Sequence, residues 1–133
     1  MLPFYQTLAI SKHYQFTWEL EEVYLVADAF YLKTAIQNLL DNAFRYTKPK
    51  GNITLTLKSN CFILTNQAEH LLKQDQLEQI FQPFYRPDFS RNRQDGGTGL
   101  GLYIVDQVLS KYNLPHQFKV QGDKMCFIIE FSN

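Results

Sequence analysis

Four side chains capable of binding a metal-bound polyphosphate lie at helical spacing in segment 38–46. Asn38 and Asn42 are four residues apart, and Arg45 and Tyr46 follow Asn42 by three and four residues. All four therefore fall on one face of a helix. An amide oxygen is a hard ligand that Mg²⁺ accepts together with water and phosphate oxygens, and a guanidinium neutralises phosphate charge. A solvated polar face would show the same pattern.

A second candidate site is the glycine-rich sequence GGTGLGL at positions 96–102, which runs into a predicted helix. Glycines let backbone amides approach an anion closely, and a helix N-terminus adds its positive end. Leu102 stands where a dinucleotide-binding fold would have its third glycine, counted from Gly97, and the GK[ST] sequence of a P-loop is missing. The segment is either an anion site of another kind or a flexible turn.

The third candidate is the loop sequence IFQPFYRPDFSRNR at positions 80–93, where aromatic rings alternate with arginines. The rings either pack the base of the loop or hold a ligand while an arginine reaches phosphate. The residues concerned are Phe81, Phe84, Tyr85, Arg86, Phe89, Arg91 and Arg93.

The elements that must position these residues alternate between strand and helix patterns. Asp28 is placed to cap a long amphipathic helix that Pro49 and Gly51 end. The remaining pattern predicts strands at 14–18, 52–58, 61–65, 117–120 and 125–131, a short apolar run at 23–26, helices at 75–81 and 100–112, and a long mobile loop at 83–97. This order predicts an α+β fold, with helices on one face of a mostly antiparallel sheet.

Composition narrows the class of protein. The 133 residues, 45% of them apolar, suffice for one domain with a core. Thirteen basic residues balance thirteen acidic ones without charge runs, so no nucleic-acid partner is expected. No stretch approaches the roughly 20 apolar residues of a membrane helix. Cys61 and Cys126 lie in apolar stretches, as small buried hydrophobes of a reducing compartment do. We expect a cytoplasmic domain.

In this order and spacing, the three segments resemble the ATPase superfamily that gyrase-type topoisomerases, mismatch-repair and large heat-shock ATPases share with histidine kinases. NLLDNAFRYT is similar to the asparagine box of histidine kinases, IFQPFYR to their phenylalanine box and GGTGLGLYIV to their second glycine box. The resemblance covers positions 23–131. It implies a two-layer α/β sandwich (the Bergerat fold), with a mixed, mostly antiparallel sheet under about three helices, and ATP between the long helix and a mobile lid.

The resemblance also implies roles for individual residues. Asn42 would coordinate Mg²⁺, Asn38 would lie near the phosphates, and Arg45 and Tyr46 would contact phosphate and adenine. The amides of residues 98–102 would hold the phosphates. Arg86 and Arg91 would belong to the lid, the predicted mobile loop at 83–97. The implied nucleotide-binding residues are Asn38, Asn42, Arg45, Tyr46, Asn66, Leu71, Phe84, Arg86, Arg91, Gly97, Thr98, Gly99, Leu100, Gly101 and Leu102. The implied catalytic residues are Asn38, Asn42 and Arg45.

One box of the family pattern is altered. The first glycine box, DxGxG after a strand, would fall on NQAEH at positions 66–70, so Asn66 stands where the adenine-reading aspartate is expected and neither glycine is present. An asparagine carbonyl can still accept a proton from the adenine amino group, without the charge. Because the amide can flip and donate, discrimination against guanine is expected to weaken.

The sequence carries no convincing phospho-acceptor. None of His13, His70 and His116 precedes an acidic residue or lies on a predicted long helix. We therefore expect the chain to be the cytoplasmic catalytic domain of a membrane-anchored sensor kinase, monomeric by itself. Its expected direct partner is the dimerisation and phospho-acceptor domain of the same kinase. A response regulator would be an indirect partner.

Two other functions remain open. One is an ATP-driven conformational ATPase of the topoisomerase or chaperone kind. Those relatives carry a glutamate one helical turn before the metal asparagine to deprotonate water, and this chain has Asn38 there, which cannot act as a base. The other is a degenerate binding module, which the altered first glycine box favours.

Overall fold

The computed structural model describes residues 1–90 and 99–131. They form one five-stranded sheet in the order β1-β2-β3-β5-β4, with helices packed against one face. The elements are α1 (Leu2–Lys12), β1 (Gln15–Leu20), α2 (Ala29–Tyr46), β2 (Asn52–Lys58), β3 (Cys61–Gln67), α3 (Gln74–Leu77), a 3₁₀ turn (Asp88–Ser90), α4 (Gly101–Lys111), β4 (His116–Gln121) and β5 (Lys124–Glu130).

The sheet is mixed, because β1 pairs with β2 in parallel while the other three pairs are antiparallel. Its helix-covered face is apolar: Ile53 and Leu55 of β2, with Phe62 and Leu64 of β3, are buried there. The register continues this row to the end of β3, where Asn66 lies opposite both Ile53 and Met125 of β5. The predicted two-layer α/β sandwich is confirmed.

Helix α2 is the main element of the helical layer. Its carboxylate cap forms as predicted: Asp28 Oδ1 accepts hydrogen bonds from the amides of Phe30 (2.8 Å) and Tyr31 (3.4 Å). The buried side chains of α2 recur every three to four residues, as an amphipathic helix requires. They are Ala35, Leu39, Leu40, Ala43 and Phe44. Helix α4 packs alongside, burying Val105, Val108 and Leu109.

Helix α1 was not predicted. Its apolar residues are distributed around the helix, so it has no amphipathic stripe, and only Tyr5 and Ala9, one turn apart, are buried. Among the described residues, no helix has the length and apolar character needed to cross a membrane.

One sequence-based prediction of local structure was wrong in extent, and the apolar run at 23–26 forms no regular element. Residues 23–26 form no strand: after Glu21 donates to the Leu57 carbonyl, the chain leaves the sheet edge, and Tyr24 and Val26 are exposed. The helix predicted over 75–81 is only the single turn Gln74–Leu77, followed by turns. Helix α3 buries none of its own side chains, so packing does not stabilise it beyond one turn.

The N-cap of α2 can be tested by substitution. Asp28→Ala removes the acceptor of two first-turn amides, so we expect the free energy of unfolding to fall by about 1 kcal/mol. Asp28→Asn keeps an acceptor oxygen and should unfold close to wild type. Urea unfolding of the three proteins measures the difference. If the alanine variant were as stable as wild type, the cap would contribute nothing.

The contribution of the contact between α1 and α2 to the free energy of unfolding depends on pH. The buried Tyr5 hydroxyl donates to Asp41 Oδ1 (2.7 Å), and burial, followed by the hydrogen bond and charge of Asp41, raises the pKa of Tyr5 well above its usual range. The unfolded chain releases this proton near pH 10, whereas the folded domain keeps it. The stabilisation is therefore complete below about pH 10 and declines above it.

We accordingly expect Tyr5→Phe to lower the free energy of unfolding by about 1 kcal/mol at pH 7. The difference from wild type should shrink at pH 10.5, because only the wild type gains from deprotonation in the unfolded state. Chemical denaturation of both proteins at the two pH values measures this double difference. A constant difference would contradict the assignment.

Candidate functional site

A cavity of about 280 Å³ opens between α2, the end of β3, segment 80–90 and the start of α4. It brings together nine of the predicted site residues. They are Asn38, Asn42, Arg45, Tyr46, Asn66, Arg86, Gly99, Gly101 and Leu102. The three predicted segments, distant in sequence, thus meet at one place.

The remaining predicted residues do not line this cavity or are not described. Leu71 borders a neighbouring shallow depression instead, and the Phe84 ring is exposed. Leu100 is half-buried beside the cavity at the N-cap of α4. Arg91, Gly97 and Thr98 lie outside the described residues, as do residues 91–97 of the predicted mobile loop.

The orientation of the Asn38 amide follows from its neighbours. Its Nδ2 donates to the Thr34 carbonyl (3.0 Å), which can only accept, so Oδ1 is the atom on the other side. That oxygen lies close to Gly101, where an added Cβ would come within 3.2 Å of it. The first turn of α4 is thus in direct contact with the polar stripe of α2, and a larger residue at position 101 would crowd the amide.

The start of α4 is suited to an anion. Within the described part of the chain, the side chain of the N-cap residue Leu100 makes no hydrogen bond to the first turn, and that turn contains no acidic residue. The amides of the first turn lie at the positive end of the helix dipole. They face the side of the cavity that Gly101 and Leu102 line. A phosphate group is the kind of ligand that such a helix start binds.

Glycine at position 99 is required by a close approach to the phenylalanine-box segment. Gly99 adopts φ +81°, and an added Cβ would lie 2.7 Å from the Phe84 carbonyl carbon. The Phe84 amide donates to the Gly99 carbonyl (3.0 Å). Phe84 therefore contributes through its backbone, which ties segment 80–90 to the glycine loop.

Arg86 is held at the base of the lid. Its guanidinium donates to the carbonyl of Ser90, and Ser90 is itself fixed by its amide (2.9 Å) and hydroxyl (3.0 Å), which both donate to the Pro87 carbonyl. These local bonds position a cation at the cavity wall.

Asn66 is the buried polar group of the site. It lies on the helix-covered face of the sheet with 4% of its surface exposed, between Ile53 and Met125. Within residues 1–90 and 99–131, its side-chain amide has no hydrogen-bond partner. Its amide atoms are not enclosed by the protein but open onto the cavity, where they can bond to water or to a ligand with a complementary edge.

Sequence reasoning missed several lining residues as parts of the site. Asp41 lies one position from Asn42 and is positioned by a hydrogen bond from Tyr5 of α1. No local sequence pattern predicts this contact. The apolar part of the cavity wall is formed by Leu72, Ile80, Phe118 and Met125. His70 was also missed as a site residue; it stacks face to face with Phe89, which the loop pattern did single out and which meets Tyr46 edge-on.

The residues present fit a nucleotide-bound magnesium ion better than a protein-only metal site. Among the described residues there is no group of three His, Cys, Asp or Glu side chains that could hold a metal. Asn42 and Asn38 can each offer a neutral oxygen at the cavity. Mg²⁺ usually takes one or two protein ligands and fills the rest with water and phosphate oxygens, so a metal here would arrive with its polyphosphate.

Comparison with known proteins gives a consistent result. The family model for histidine kinase-, DNA gyrase B-, and HSP90-like ATPases matches residues 27–132. Sensor histidine kinase RppB of Synechocystis sp. is 37% identical over 110 residues, which cover 79% of this chain and 24% of RppB. Sensor histidine kinase CpxA of Escherichia coli is 37% identical over 82 residues, which cover 61% of this chain and 18% of CpxA.

The fold is likewise similar to that of a mycobacterial sensor histidine kinase, MprB, with a TM-score of 0.79 and 21% identity over 96% of this chain and 89% of that chain. The chain spans less than a quarter of the length of RppB and CpxA. The family match covers both the long helix and the second glycine box. The chain therefore belongs to the family of histidine kinase-, DNA gyrase B- and HSP90-like ATPases, and the predicted resemblance to the ATP-binding domain of sensor histidine kinases is confirmed.

Proposed function

We propose that the chain binds Mg-ATP in this cavity and donates the γ-phosphoryl group to a histidine on a separate dimerisation domain. One observation supports this most directly: the polar stripe of α2 and the start of α4 face one cavity, which the Asn66 side chain also lines. Phosphate-binding and base-binding chemistry are thus present at one place.

The direction of the nucleotide follows from the spacing along α2. Asn38 lies beside Gly101 at the start of α4, so this end receives the phosphates. Tyr46 is eight residues further on, about 12 Å along the helix axis. The Glu69 amide donates to the Tyr46 carbonyl (2.9 Å), which ties this end of α2 to the segment after Asn66. The base therefore binds at the Tyr46 end.

Asn42 would hold the magnesium ion, with Asn38 near the phosphates. When bound, the ion neutralises phosphate charge and orients the triphosphate. Arg45 and Arg86 line the same cavity and supply further positive charge. The catalytic contribution of the chain is positioning and charge neutralisation.

Transfer fits this site better than hydrolysis. In transfer, an imidazole nitrogen bonds to the γ-phosphorus as the bond to the bridging oxygen of ADP breaks, and the chain need not deprotonate water. Asn38 occupies the position of the hydrolytic glutamate and cannot be a base. Asp41 is the only acid among the described lining residues, and its carboxylate accepts a hydrogen bond from Tyr5.

The acceptor histidine would lie on the dimerisation domain of the same kinase, in a cytoplasmic region of a membrane-anchored protein, with a response regulator as the next acceptor. Incubating the chain with γ-labelled ATP tests this proposal. No label should stay on the chain alone, and label should appear on the dimerisation domain when that domain is added. Failure to label it, with ATP bound, would favour a binding module or an ATPase.

The metal ligand can be tested with Asn42→Ala. We expect Mg-dependent ATP affinity to fall at least tenfold, about 1.4 kcal/mol, while the free energy of unfolding stays close to wild type, because alanine is well tolerated in a helix. Gln37→Ala, on an exposed position of the same helix, is the matched control. Calorimetric titration with and without Mg²⁺ measures the effect. Unchanged Mg-ATP affinity would remove Asn42 from the metal site.

The recognition of the nucleotide base by Asn66 can be tested by substitution. A carboxylate can only accept, so it favours adenine, whose amino group donates, over guanine, whose O6 accepts. We expect Asn66→Asp to tighten ATP binding and widen the ATP-over-GTP ratio by about 1 kcal/mol. Asn66→Ala should weaken ATP binding without unfolding the domain.

The matched control is Asn52→Asp, which makes the same change at the start of β2, away from the lining residues. Paired titrations with ATP and GTP give the ratio for each protein. A ratio that Asn66→Asp leaves unchanged would mean that this position does not read the base.

A further inference from the structure

An aromatic pair lies beside the base end of the cavity. The rings of His70 and Phe89 are stacked, with centroids 4.6 Å apart and planes inclined by 22°. Phe89 also meets Tyr46 at 6.0 Å and 84°, an edge-to-face contact. All three rings line the same cavity as Asn66. The base end is therefore bordered by a continuous aromatic array.

His70 occupies an unusual position. In the DxGxG pattern counted from Asn66, position 70 is the second glycine, where no side chain exists. This chain instead places an imidazole there, on an exposed loop, and directs it onto Phe89 of the 3₁₀ turn that begins the lid. Among the described residues, the His70 side chain has no hydrogen-bond partner and makes its one ring contact with Phe89. The imidazole thus offers aromatic surface rather than a polar contact within the protein.

We infer that the nucleobase stacks on the free face of the His70 ring, whose other face Phe89 covers, so that His70 is a positioning residue that sets the affinity for the base moiety. This inference rests on the proposed nucleotide-binding function and assigns to position 70 a contact that a glycine could not make. Asn66 faces the hydrogen-bonding edge of the base, and the ring pair faces its plane.

The two contacts have different consequences for specificity. Every base has an aromatic face, so stacking on a side chain is tolerant of base identity. The ring at position 70 should therefore strengthen ATP and GTP binding by the same factor. An edge contact, in contrast, changes the ratio between the two nucleotides. The role of His70 is thus separable from that of Asn66.

A purely structural role for the pair makes a different prediction. If the stack only fastened the start of the lid to the loop after β3, its loss would displace Ser90 and with it the Arg86 guanidinium. Phosphate binding would then weaken as much as nucleotide binding. Inorganic triphosphate, which has no base, separates the two roles.

The experiment compares wild type with His70→Ala, His70→Leu and His70→Phe at one pH. Affinities for Mg-ATP and Mg-GTP are measured by calorimetry, and inorganic triphosphate is measured as a competitor of ATP. We expect His70→Ala to weaken both nucleotides by the same factor, on the order of tenfold. His70→Phe should restore both, His70→Leu should restore them only in part, and the triphosphate constant should stay unchanged.

Three results would overturn the inference while leaving nucleotide binding intact. These are unchanged ATP affinity in His70→Ala, failure of His70→Phe to restore it, and a parallel loss of triphosphate binding. Thermal unfolding of the nucleotide-free variants identifies any variant that fails to fold. If His70→Ala fails to fold, the nucleotide affinities of His70→Leu and His70→Phe are compared, and they decide whether the aromatic face matters. Absence of ATP binding by the wild type would overturn the proposed function itself, and the inference with it.

Discussion

The packing of Phe44 fixes the rotation of α2, and the site depends on that rotation. The Phe44 ring is fully buried and meets the rings of Tyr5 (5.3 Å), Tyr14 (6.0 Å) and Phe16 (5.3 Å), which come from α1, the following turn and β1. Successive residues of a helix are about 100° apart. Once Phe44 is held in the core, the direction of every other side chain on α2 is set, and Asn42 and its neighbours are directed to the cavity.

The second constraint is the close backbone contact between Gly99 and Phe84. It joins segment 80–90 to the glycine loop, and it requires a residue without Cβ at a positive φ. Gly101 has a different reason to be a glycine, because a side chain there would press on the Asn38 oxygen. The two glycines are thus needed for different contacts within one loop.

The site carries a cost that the core offsets. Asn66 places a polar amide on the buried face of the sheet, where its neighbours in the register are Ile53 and Met125. An apolar residue would pack there at lower cost. The amide opens onto the cavity, where a ligand could bond to it. Locally unfavourable choices of this kind are expected where a fold carries a site.

The sequence by itself determined the long amphipathic helix and its Asp28 cap, because helical periodicity and capping act over a few residues. It also determined the fold family, since the order and spacing of three boxes are specific. Helix α1 has no amphipathic stripe, so only its packing through Tyr5 and Ala9 revealed it. The parallel pairing of β1 with β2 and the Tyr5–Asp41 bond join distant segments. Burial of Asn66 and the His70–Phe89 stack likewise depend on which faces meet in the folded chain, and tertiary structure alone decides that.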